Sequence, residues 1–222
     1  MERFEHLVKI ALEAEKLIVS GNLKFHVSIK TRKRKHEERQ THGYEIDLVG
    51  ARQDALVLAS VKSFFGSRGV SRHGFRDLSE IADPPTDRQH KAFNLYKIFN
   101  EPELRTKIIE EAARRYGYSE DQVELRLYVG RFGNELDRRD ITAHLKTVRA
   151  GKGSIRLVAL DEIVRSLFSV LESKTYINDP VISTLKALAE ASRHVGGDEG
   201  RQLSPKAAMR RLRKHFGIDP DP

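Results

Sequence analysis

Phe4, Leu7, Val8, Ala11, Leu12, Ile18 and Val19 recur at helical spacing along ERFEHLVKIALEAEKLIVSG, which predicts a first helix stopped by Gly21. The period then changes. KFHVSIKTRKRK reads as a strand running out into a basic turn, and YEIDLVG and DALVLASVKSF read as two more strands joined by the short ARQD turn. Glycines and prolines between Phe64 and Pro85 predict loop. Helices follow over 87–99 and 102–117, a strand over 123–132, a helix over RDITAHLKTVRA with Asp140 as its cap, and a strand over 154–160. Asp161 caps DEIVRSLFSVLESK, and beyond residue 175 only helical patterns remain, the last of them opened by Ser204 and Pro205. Three strands in succession, then alternating helices and strands, predict an α/β core with a mixed sheet flanked by helices. That core is expected over 1–174, with a helical C-terminal extension over 175–222.

Side chains alternate faces along a strand, so Glu45, Asp47 and Val49 share one face, as do Leu56, Leu58, Ser60 and Lys62. If register permits, Asp47 meets Ser60 and Lys62 across the hairpin. An acid and a lysine converging at strand ends suit metal-dependent phosphodiester hydrolysis. A carboxylate supplies the hard oxygen that Mg²⁺ prefers, and a lysine orients water or stabilises charge developing on the phosphate. The spacing alone also fits a surface hairpin carrying two solvated charges.

EID (45–47), followed by SVK (60–62) at the end of an apolar strand, resembles the motif of the PD-(D/E)xK nucleases, a superfamily with the restriction-endonuclease-like fold. The amphipathic first helix and the αβββαβ order are similar to that family's core, over roughly residues 1–132. The resemblance implies a metal-dependent DNA endonuclease, in restriction, defence or DNA processing, that uses Mg²⁺ with Mn²⁺ as a substitute. It implies Asp47 as a metal ligand and Lys62 as the catalytic lysine. Ser60 departs from the pattern, standing where the family carries an Asp or Glu; a hydroxyl is a far poorer Mg²⁺ ligand than a carboxylate. Either another acid takes over, or the chain is a catalytically inactive DNA-binding module of the same fold. Glu45 is the nearest substitute by sequence. The family often completes its site with a Glu from the first helix, for which Glu15 ranks first, Glu13 second and Glu5 third; each also reads as an ordinary helix-surface carboxylate. Gln89, with Phe93 one turn on, is similar to a Gln and aromatic pair that several nuclease branches place near the lysine. It also reads as a plain surface residue.

Composition narrows the partners. The chain has 222 residues and a formal net charge of +8, which favours a polyanion, DNA first. Basic residues gather in KTRKRKHEER, where Lys33 and Arg34 lie, in the glycine-rich loop after Lys62, where Arg68 and Arg72 lie, and in KAAMRRLRK. Phe64, Phe65 and Phe75 either stack on bases or anchor that loop to the core. There is no cysteine, so disulfides and thiolate metal sites are excluded, and no histidine pair has metal spacing. No run of 18 apolar residues exists and the N-terminus does not read as a signal peptide, so no membrane association and a cytoplasmic location are expected. Enzymes of the resembled family often act as homodimers to cut both strands, and the helical tail is a candidate interface.

Overall fold

The computed structural model describes residues 3–30, 39–79, 86–172 and 179–194, with Arg210 and Lys214. Contacts divide the chain into two compact units, Met1–Leu160 and Asp161–Pro222. The expected boundary at 174 lies outside the described residues.

The first unit is α/β. Helix α1 (Arg3–Ala14) buries Phe4, Val8, Ala11 and Leu12, the stripe expected of it, against β1 (Ile18–Lys30), β2 (Arg39–Arg52) and β3 (Ala55–Lys62). It ends six residues earlier than the glycine rule predicts. Lys16 takes the left-handed conformation at φ 66°, its N–H bonds Glu13 O at 3.0 Å, and the Leu17 N–H reaches back to Leu12 O at 3.2 Å. This is a Schellman stop built on lysine, at a cost of about 1 kcal/mol relative to glycine. The β-branched pair Ile18–Val19 is thereby released into β1, and Leu17 packs under Gly50, where a Cβ would meet it at 3.3 Å.

Five strands form one open mixed sheet in the order β1-β2-β3-β4-β5, with β4 at Val123–Val129 and β5 at Ser154–Ala159. The first three are antiparallel, while β3–β4 and β4–β5 are parallel. Between β3 and β4 come α2 (Asp87–Asn94), the four-residue α3 (Lys97–Asn100) and α4 (Pro102–Tyr116); α5 (Glu135–Thr147) joins β4 to β5. Pro102 at the first helical position and Gly117 at φ 75° set the ends of α4. Leu56 and Leu58 of β3, with Val123, Leu125, Leu127 and Val129 of β4, build the main core with Ile108 of α4 and Ile141 of α5. Each such side chain contributes about 1.5–3 kcal/mol on burial.

The alternate residues of β4, Glu124, Arg126 and Tyr128, are polar and form a cluster with Glu15. Arg126, 6% exposed, donates to both oxygens of Glu15 at 2.8 Å, to Glu124 at 2.8 Å and to the Tyr128 hydroxyl at 3.1 Å. Burial opposes its charge most strongly, yet Tyr128 and Glu124 together hold the guanidinium above its ordinary range. Burial pushes the Tyr128 phenol up to about 12, against the pull of Arg126. A folded pKa above the unfolded value of 10 means the stabilisation from keeping Tyr128 neutral is complete below pH 10. It fades as pH rises from about 10 to about 12, by roughly 2 kcal/mol. Urea unfolding across that window should show the decline in the wild type and a shallower slope in Tyr128→Phe; equal slopes would refute it.

In the second unit, α6 (Leu160–Glu172) and α7 (Pro180–His194) bury Ile163, Leu167, Phe168 and Ile182. Asp161 lies in the first turn of α6 and pairs with Arg165 at 2.7 Å, while Asp179 caps α7 through the Val181 N–H at 2.8 Å. Among the described residues no helix is long and apolar enough to cross a membrane.

Candidate functional site

The hairpin of β2 and β3 pairs Arg52 with Ala55, Ala51 with Leu56, Gly50 with Val57, Val49 with Leu58 and Leu48 with Ala59, and then the ladder ends. One step further in the same register, Asp47 would face Ser60. The strands part there instead, and the Asp47 carboxylate takes over by accepting the Val61 N–H at 2.5 Å. On its other side β2 loses regular pairing at the same place. Gly21 pairs with Leu48 and Leu23 with Ile46, while Asn22 between them sits at φ 55°. Asp47 therefore occupies a position where the sheet opens on both sides, half-buried, with its second oxygen left over.

That opening is a pocket of about 250 Å³, lined by Asp47 together with Glu5 and Lys9 of α1 and Val19, Gly21 and Asn22 of β1. The helix-1 acid at Asp47 is thus Glu5, ranked third by sequence. Glu15, ranked first, lies beyond the end of α1 and is held by the buried Arg126. Glu13, ranked second, is exposed and pairs with Lys9 at 3.6 Å. Glu45 is exposed and meets Lys24 at 3.9 Å. The chain reversal at Lys16, ahead of the stop expected at Gly21, takes Glu15 and Ile18 out of the helix.

Ser60 and Lys62 stand in register with Leu127 and Val129 on β4, and both are half-buried. Lys62 ends β3; its carbonyl accepts the Gly130 N–H at 2.9 Å, and its ammonium has no ion pair among the described residues. Neither residue lines the Asp47 pocket; the link from β3 to Asp47 is the backbone N–H of Val61, the residue between them. The loop beyond Lys62 turns back to α1, where Phe65 meets the buried Phe4 edge-on at 5.2 Å. Phe75 is fully buried and stacks on Tyr96 at 4.8 Å, so it anchors the loop.

Gln89 completes a capping box at the start of α2, its side-chain oxygen accepting the Thr86 N–H at 3.0 Å. Phe93, one turn on, is buried with the Arg76 guanidinium 5.3 Å above its ring. Arg72 pairs with Asp140 at 2.9 Å, and Arg68 is exposed. Asp140 does not cap α5: Asn134 does, accepting the Asp137 N–H at 2.8 Å, and α5 begins five residues before the expected cap. Lys33 and Arg34 lie outside the described residues.

As a metal site, the pocket offers the oxygen donors of Asp47 and Glu5. Among the described residues no group of three or more His, Cys, Asp or Glu side chains is placed to hold an ion. Two carboxylates nonetheless fit Mg²⁺, which keeps several waters and is commonly bound by one or two carboxylates with substrate phosphates. A larger open cleft of about 1110 Å³, lined by Lys146, Arg149, Lys152 and Asp121 among others, lies at the opposite end of β4 and β5. It holds none of the residues that the sequence singles out for chemistry.

No protein-family model, no curated protein and no solved structure matches this chain. The functional reading therefore rests on the residues and their geometry.

Proposed function

We infer that the chain is a metal-dependent DNA endonuclease of restriction-endonuclease-like fold. The observation that carries this reading is the parting of β2 from β3 at Asp47, which shares a pocket with Glu5 and bonds the N–H of Val61, the residue before Lys62. The order of α1, three antiparallel strands, helices and a parallel fourth strand supports it. So does the net charge of +8.

In this reading Asp47 and Glu5 hold the ion. Bound Mg²⁺ or Mn²⁺ supplies Lewis-acid polarisation of the scissile phosphate and a more acidic water. Asp47 is held in place by the Val61 N–H, so its remaining lone pairs are presented without a rotamer search. Lys62 supplies positive charge for the phosphate oxygens as charge builds on them. Ser60 supplies no charge, so Glu5 takes the place of the missing acid.

A second reading, a DNA-binding module that has lost catalysis, is favoured by Ser60 itself. Plasmid cleavage with Mg²⁺ or Mn²⁺, set beside calorimetric Mn²⁺ titration, separates the two. Glu5→Gln is expected to weaken Mn²⁺ binding roughly tenfold or more and Lys62→Ala to lower cleavage roughly a hundredfold with Mn²⁺ binding retained. Glu15→Gln should leave Mn²⁺ affinity unchanged. Wild-type protein that binds DNA but neither cleaves it nor binds Mn²⁺ would establish the second reading and reject the first.

A further inference from the structure

The loops that follow β3 and β4 are fastened to each other rather than left free. Val70 and Phe132 form a parallel bridge, with the Val70 N–H on Arg131 O at 2.8 Å and the Gly133 N–H on Val70 O at 2.9 Å. The contact is backbone on backbone: Gly69, at φ 84°, leaves no room for a Cβ, which would lie 2.5 Å from the Phe132 carbonyl carbon. A buried carboxylate secures the next turn. Asp137, 5% exposed, accepts the Arg72 N–H at 2.9 Å and the Ser71 hydroxyl at 3.3 Å.

This fastening gathers arginines from three separate stretches onto one crest at the C-terminal ends of β3 and β4, the end where Lys62 stands. Asp140 accepts from Arg72 at 2.9 Å and from Arg139 at 2.9 Å, so one carboxylate spaces two guanidiniums, of which Arg139 is exposed and Arg72 partly so. Arg139 first and Arg72 second hold that carboxyl below its usual range, so it stays charged between them. Arg138 lies over the Phe132 ring at 6.0 Å. Arg68 and Arg131 are exposed and have no ion pair among the described residues. The acids nearby are Asp137, which is buried, Asp140, which is shared, and the exposed Asp77 and Glu135. Arg68, Arg72, Arg131, Arg138 and Arg139 carry a planar fork that suits bidentate contact with phosphate better than an ammonium does.

We propose that this crest, formed by Arg68, Arg72, Arg131, Arg138 and Arg139, is the surface that grips the phosphate backbone of duplex nucleic acid beside the cleavage site. The inference rests on the nucleic-acid reading above and adds to it the α5 side of the track, which no motif marks. Contacts of this kind position the duplex without reading its sequence, and they release counterions.

The test is binding of a short labelled DNA duplex of arbitrary sequence, in EDTA to prevent cleavage, across a series of salt concentrations. The variants are Arg68→Ala/Arg131→Ala on the crest and Lys146→Ala/Lys152→Ala in the cleft at the other end of the sheet. Both crest residues are exposed, and circular dichroism with urea unfolding verifies the fold; Arg68→Gln/Arg131→Gln provides the same readout should the alanine pair fold poorly. The crest pair is expected to bind at least about tenfold more weakly near physiological salt, and to lower the slope of log affinity against log salt by about 2. The cleft pair should bind as the wild type does. Equal losses in both pairs would show attraction by net charge and overturn the proposal. So would displacement of the duplex by polyglutamate as readily as by unlabelled DNA. A crest pair that binds like wild type, in a protein that still cleaves DNA, overturns the crest and leaves the nuclease reading standing. A wild type with no affinity for the duplex at low salt overturns both.

Discussion

Asp47→Asn is expected to lower Mg²⁺-dependent DNA cleavage roughly a thousandfold, about 4 kcal/mol of transition-state stabilisation, while leaving the protein as stable as the wild type. The substitution separates two roles of one carboxylate. Asn retains an oxygen to accept the Val61 N–H, so the join between β2 and β3 persists. What it loses is the negative charge, and with it a hard anionic ligand in the pocket shared with Glu5. Asp47→Ala removes both, and should add a stability loss of about 1–2 kcal/mol for the half-buried N–H left without a partner. Cleavage assays and urea unfolding on the two variants read the roles independently. If Asp47→Asn cleaves like wild type while Asp47→Ala unfolds more easily, Asp47 is a strand fastener and the proposed chemistry is elsewhere.

The second large effect is on stability. Arg126→Met should destabilise the first unit by about 3 kcal/mol, because it strands Glu15 and Glu124, both largely covered, without their shared cation. The cost belongs to the stranded charges more than to the lost attraction. Adding Glu15→Gln and Glu124→Gln to Arg126→Met should therefore recover a substantial part of it, a reversal that simple additivity would not give. Urea midpoints of the single and triple variants are the measurement. A loss below about 1 kcal/mol for Arg126→Met would put the cluster in the class of surface ion pairs.

The hairpin was legible in the sequence because its chemistry is local. Alternation in YEIDLVG and ALVLASVK sets which residues pair, and only one short turn separates them, so the ladder down to Leu48 and Ala59 follows from counting, whereas the parting at Asp47 and its bond to the Val61 N–H do not. The helix-1 acid was not. Its choice depends on where α1 stops, and the stop is a lysine in a conformation that sequence rules reserve for glycine. The start of α5 was missed for a related reason. Asp140 looks like a cap beside an apolar run, whereas Asn134 performs that role and frees Asp140 to hold two arginines. Only the β3-loop half of the arginine crest, Arg68 and Arg72, stands out in the sequence; Arg131 and Arg139 join it through the contact of Gly69 with Phe132 and the shared carboxylate of Asp140, which no motif marks. Gln89 shows the opposite limit: a residue type expected from resemblance is present, and its side-chain oxygen serves a helix cap.

The same gap that exposes Asp47 gives β2 two different mechanical lives. From Leu48 to Ala51 it is an inner strand, gripped on both edges. From Arg39 to Ile46 its ladder runs with β1 alone. A two-stranded ribbon bends far more readily than a sheet, and its amides open to exchange at lower free energy. Asp47 stands at the fulcrum, pinning the stiff part to β3 through Val61. Whatever load falls on the outer ribbon arrives first at the residue proposed to hold the metal, so grip and chemistry in this fold share one pivot.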